Sequence, residues 1–187
     1  MTTTVRLISL LGVVALAGCG ATEATAPSGA VPPEQSVPGG APPRLDDPST
    51  AAQTPCGNAV RAQVQGVLGL ESVPAPESAQ AGDRATCTYR TPMGEVVFSV
   101  TVGATADAAQ EHLETLRTEF RATSPVSGRQ DAYKNGAGVV VALVDTVVLT
   151  VDASALPPEH IGPDHQSETG VAIVLADGVL DGWTGQS

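Results

Sequence analysis

Aromatic side chains are scarce in this 187-residue chain: one tryptophan, two tyrosines and two phenylalanines. Glycan clefts are commonly built on aromatic platforms, so this composition speaks against one. A carboxylate pair for glycoside hydrolysis stays open, because spacing in space is not visible in a sequence. Basic residues are also few, with 9 Lys+Arg against 20 Asp+Glu, and Lys134 is the only lysine. A net charge of −11 repels nucleic acid and anionic headgroups, which removes DNA and RNA from the partners to consider. Neither G-x-S-x-G, H-E-x-x-H, S-x-x-K nor a P-loop occurs. Asn135-Gly136-Ala137-Gly138 is Gly-rich but precedes a strand pattern, so no helix N-terminus would face a phosphate there.

What is present begins at the first residue. Arg6 precedes an apolar run from Leu7 to Leu16, interrupted by Ser9 and Gly12. The run falls short of the roughly 20 residues of a spanning helix. A basic start, a short apolar middle and small residues before a cysteine describe an export signal over residues 1–18. Leu16-Ala17-Gly18-Cys19 is similar to the lipobox of bacterial lipoproteins. That likeness implies diacylglycerol on the Cys19 thiol, cleavage before Cys19, and attachment to the outer face of the cytoplasmic membrane. Cleavage there removes one base, Arg6, and no acid, leaving 8 basic and 20 acidic residues, a net −12.

Gly20 to Pro55 has a different composition. It holds 8 of the 15 prolines, no aromatic residue and almost no large apolar side chain. Such a stretch buries too little surface to offset its ordering entropy. Residues 19–55 therefore read as a lipidated cysteine and a tether. A flexible coil of that length would reach roughly 30–40 Å, and prolines extend it. Residues 56–184 read as a single domain. With Cys19 acylated, Cys56 and Cys87 remain, and in an oxidising compartment two cysteines most simply form a disulfide. A loop of that length is worth about 3–4 kcal/mol in chain entropy.

Periodicity within the domain predicts α-β-β-α-β-β-β-α. Thr54-Pro55 resembles a helix start, with Asn58 as a second candidate cap, and Val60, Val64, Val67 and Leu68 fall on one helical face that Gly69 can end. Glu71 to Asp83 reads as a loop. Thr86 to Thr91 and Glu95 to Val102 read as strands joined at Pro92-Met93-Gly94. Thr105 can cap a helix carrying the stripe Ala109, Leu113, Leu116 and Phe120. Three further strands follow, Gln130 to Lys134, Ala137 to Val144 and Val147 to Ala153, turning at Asn135-Gly136 and Asp145-Thr146. Val139 to Val144 is apolar on both faces, as a central strand is. Ser167 or Asp164 can cap a last helix with Ala172, Ala176, Val179, Leu180 and Trp183 on one stripe. The expected fold is α+β: an antiparallel sheet of about five strands with helices packed on one face. The strand-strand-helix pattern occurs twice, as a degenerate duplication would.

The Leu16 to Cys19 lipobox, the Pro-rich tether, Pro55-Cys56 opening a helix, the Cys87-Thr88-Tyr89-Arg90 strand and a last helix ending at Trp183 together resemble the small cell-envelope lipoproteins of actinobacteria. That resemblance implies an envelope protein with no established catalytic residues to carry over. The best chemical candidate is the loop around Glu159, His160, Asp164 and His165. Imidazoles and carboxylates suit zinc and similar divalent ions, although the spacing matches no standard ligand pattern. A polar loop whose Asp164 or Ser167 caps the next helix explains the same residues. The leading functional expectation is a non-catalytic module, anchored by lipid, that binds an envelope protein or small ligand. A metal-binding lipoprotein using His160 and His165 comes second, and an envelope hydrolase third.

Overall fold

The computed structural model describes residues 48–184. The export segment, Cys19 and the tether up to residue 47 lie outside the described residues. Ordered structure starts upstream of Cys56, so residues 48–55, assigned by composition to the tether, belong with the fold. Helix α1 spans Pro48–Gln53 and runs into a 3₁₀ turn over Thr54–Cys56, with Ala51 and Pro55 buried. A full helix does not begin at Thr54-Pro55. Gly57 is extended and sits at the N-cap of α2, Asn58–Leu68, so Asn58 is the first helical residue. Gly69 ends α2 in the left-handed conformation.

The region expected to be a loop before Cys87 contains strand β1, Glu77–Ala81. It turns into β2, Arg84–Thr91, through Gly82-Asp83. Gly82 takes φ 62°, which the first central position of a two-residue hairpin requires and a side chain disfavours. β3 covers Gly94–Val102. Thr105 then caps α3, Ala106–Phe120, its hydroxyl accepting from Ala108 N at 3.1 Å. A two-residue β4, Ser124–Pro125, precedes β5, Ala132–Lys134, β6, Val139–Val144, and β7, Val147–Asp152. Asn135 does make the β5–β6 turn, but through its side chain: Oδ1 accepts from Ala137 N and Val139 N at 2.9 Å each. The positive φ falls on Gly138 rather than on Asn135 or Gly136. Ser167, not Asp164, caps α4, Glu168–Thr184, accepting from Gly170 N at 3.2 Å.

The seven strands among the described residues form one antiparallel sheet in the order β1-β2-β3-β7-β6-β5-β4. The expected class is right and the count of five is short by β1 and β4. Helices cover both faces, which corrects the one-face expectation. On one face Val140, Ala142, Leu149, Val151, Phe98 and Val100 pack with α2 and α4 around Val64, Leu175 and Val179. On the other, Val139, Val141 and Val148 pack with Ala109, Leu113 and Leu116 of α3. Each fully buried Leu, Val or Phe contributes roughly 1.5–3 kcal/mol, so both layers stabilise the sheet. A duplication about a two-fold axis normal to the sheet would put α3 and α4 on the same face; their opposite placement speaks against one. Gln63 of α2 donates to Val174 O of α4 at 2.8 Å and lies against Gly178. Arg129 clamps the β4–β5 connection onto α4 through Asp177 at 2.9 Å and Asp181.

Candidate functional site

Strand β2 alternates, so Cys87 and Tyr89 both point to the α2 and α4 face and reach the segment arriving from α1. Cys87 is bonded to Cys56, with Cα atoms 5.5 Å apart, a spacing within the disulfide range. One pleat further on, the Tyr89 hydroxyl donates to Pro55 O at 2.7 Å. Tyr89 is fully buried and meets Phe98 edge to face, ring centres 5.7 Å apart. Burial pushes its phenol up to about 12, against an opposing pull from the positive charge of Arg61. A covalent tie and a buried hydrogen bond thus fix the same three-residue turn on β2.

The turn so held walls a cavity of about 410 Å³. Gln53, Cys56 and Gly57 form one side; Ser78, Gln80, Ala85 and Thr86 of β1 and β2 form the floor. Among the described residues none that lines it is charged. The polar groups it offers are amides and hydroxyls, which both donate and accept. Such a lining suits a small neutral polar ligand better than an ion, which would lose hydration without gaining a counter-charge. Sequence reading missed this site because Glu77 to Ala81 is too polar to stand out as a strand. The Gly82-Asp83 pair, a hairpin signature, was the signal that could have located it.

The histidine loop is elsewhere, packed against the end of α2. Ile161 and Gln166 exchange backbone hydrogen bonds at 2.9 and 3.0 Å, closing a tight hairpin. Ile161 is fully buried, and Gly162 lies so close to α2 that a Cβ would sit 2.0 Å from Val67 O. His160 and His165 flank this anchor, both at positive φ (63° and 51°). The loop brings their rings to 5.9 Å between centres at 77°. Glu159 approaches His160, Oε2 to Nδ1 3.8 Å, and both are largely exposed. Glu159 and Asp164 do not close around the pair: among the described residues no group of three or more His, Cys, Asp or Glu is placed to hold a metal ion. No described helix is long and apolar enough to cross a membrane.

No protein-family model matches the chain, and neither a curated protein nor a solved structure does.

Proposed function

We propose that the chain is an exported lipoprotein, held on the extracytoplasmic face of the membrane by diacylglycerol on Cys19. Its domain acts there as a non-catalytic module that binds a small neutral polar ligand or an envelope protein. The observation that carries this reading is Leu16-Ala17-Gly18-Cys19 directly behind a short apolar run. Two acyl chains give stable anchoring where one gives only marginal binding. The cavity beside the Cys56–Cys87 bridge supports the binding role, because its size and the uncharged character of its described lining fit a small ligand. Metabolic labelling with an alkyne fatty acid tests the anchor: label on the chain, lost in Cys19→Ala together with membrane retention, is expected. Unlabelled protein that stays in the membrane fraction would refute it. Small molecules released on denaturing the purified chain test the binding role, with Gln80→Trp expected to abolish their recovery.

A second reading, a divalent-metal site at His160 and His165, rests on the ring separation. Two imidazoles sharing one zinc at Zn–N bonds of about 2.0 Å hold their centres about 5 Å apart. The observed 5.9 Å is close to that, and both side chains are exposed. Water would complete the coordination.

A further inference from the structure

We propose that the open edge of β1 pairs with β1 of a second copy of this chain, antiparallel about a two-fold axis at Ala79. The two ends of the sheet differ. β4 is two residues long and contains Pro125, features that blunt an edge against pairing. β1 has five residues in unbroken register with β2, all exposed, with no proline, lysine or bulge. Among the described residues no strand pairs with its outer side.

The direction of its free groups follows from the hairpin. Ala81 and Arg84 flank a two-residue turn, and such a pair exchanges both backbone hydrogen bonds. By alternation Ala79 and Glu77 also bond inward to β2, leaving Ser78 and Gln80 to present N–H and C=O outward. About a two-fold axis at Ala79, Ser78 faces the partner's Gln80 and Gln80 the partner's Ser78, satisfying all four residues' outward groups. Ala79 then faces the partner's Ala79 in the close, non-bonded type of pair, where small side chains fit.

The charges agree with this register. Glu77 lies opposite the partner's Ala81, and beyond it on the same face stands the partner's Arg84, the residue paired with Ala81. Centring the axis on Gln80 would set Glu77 against Asp83, a like-charge pair. Centring it on Ser78 would set Gln80 against Pro76, which has no N–H to give. Ser78 and Gln80 also floor the cavity, so pairing brings the two cavities to either side of the interface. The contact belongs to the weak, transient size class, under about 1,200 Å².

Register-specific cross-linking of the full chain tests this. Non-bonded pairs bring Cα atoms to about 4.5 Å, within disulfide range. Under mild oxidation Ala79→Cys is expected to form a covalent dimer that the parent chain does not. Glu77→Cys and Ala81→Cys are each expected to form little alone and a heterodimer when mixed. Adding Ala79→Lys to both members of that mixture places two lysines face to face and is expected to abolish the heterodimer; the site is exposed, so the fold is kept. Ala79→Cys cross-linking no better than Thr118→Cys on the outer side of α3 would overturn the proposal. So would a monomer whose Ser78 and Gln80 amides exchange slowly, which would assign the edge to another segment of the same chain.

Discussion

Opening the Cys56–Cys87 bridge should loosen the domain by an amount that chain entropy sets. The bridge joins residues 31 apart, and a loop of that length constrains the unfolded chain by about 3–4 kcal/mol. At about 2.1 cal/mol/K per residue, the described residues unfold with an entropy near 0.3 kcal/mol/K, so Tm should fall by about 12 °C. Calorimetry on oxidised and fully reduced protein reads this directly. Reduction is a cleaner perturbation than Cys87→Ala, because Cys87 is buried and its removal would add a packing loss. Tyr89→Phe refines the test. With the bridge closed it leaves Pro55 O unpaired and should cost about 1–3 kcal/mol. With the bridge open the turn is already loose, so the same substitution should cost less, a coupling of residues that share one segment. A Tm that moves by under about 3 °C with both thiols verified free would refute the entropy argument. Additive losses would refute the shared tie.

Gly162→Ala should destabilise by about 3–5 kcal/mol, since it forces a Cβ onto Val67 O at a φ of 65°; urea titration showing under about 1 kcal/mol would disprove the close approach. Stability should also fall as pH rises from about 10 to 12, because the unfolded phenol of Tyr89 ionises near 10 while burial holds the folded one to about 12. That contribution is fully present below pH 10 and amounts to roughly 2–3 kcal/mol; in Tyr89→Phe the corresponding part of the alkaline slope should vanish. Zinc or copper titrated calorimetrically should bind the parent chain and weaken on acidification, as metal competes with protons for imidazole. His160→Ala and His165→Ala should each abolish that binding, and equal binding by the double variant would remove the metal reading.

Long periodic segments were legible in the sequence because their burial follows one period. The α3 stripe of Ala109, Leu113 and Leu116 is buried, with Phe120 packed beside it, and every residue of the α4 stripe from Ala172 to Trp183 is buried. Val139 to Val144 read as a central strand and is one, lying between β5 and β7. That same run held the clue to the second helix layer. Val139 and Val141 point opposite to Val140 and Ala142, and both sets are buried, which a sheet covered on one face does not need. β1 escaped notice because an exposed edge strand has no apolar face to display. Residues 48–55 do not read as part of the fold from composition because the described core residue of α1 is the small Ala51, and composition weighs large apolar residues. Of the candidate site, the disulfide pairing followed from counting cysteines, while the cavity depended on β1. The histidine loop was visible as a cluster, but its geometry depends on Ile161 and Gly162 docking on α2, contacts that leave no local pattern.

Lipidation of Cys19 is tested most directly by the intact mass of the chain taken from its native membrane in mild detergent. A mature chain beginning at Cys19, heavier by a diacylglycerol and lighter by the two hydrogens lost to the Cys56–Cys87 bond, is the predicted result. A chain that keeps residues 1–18, or one cut elsewhere with a free thiol at Cys19, would contradict it.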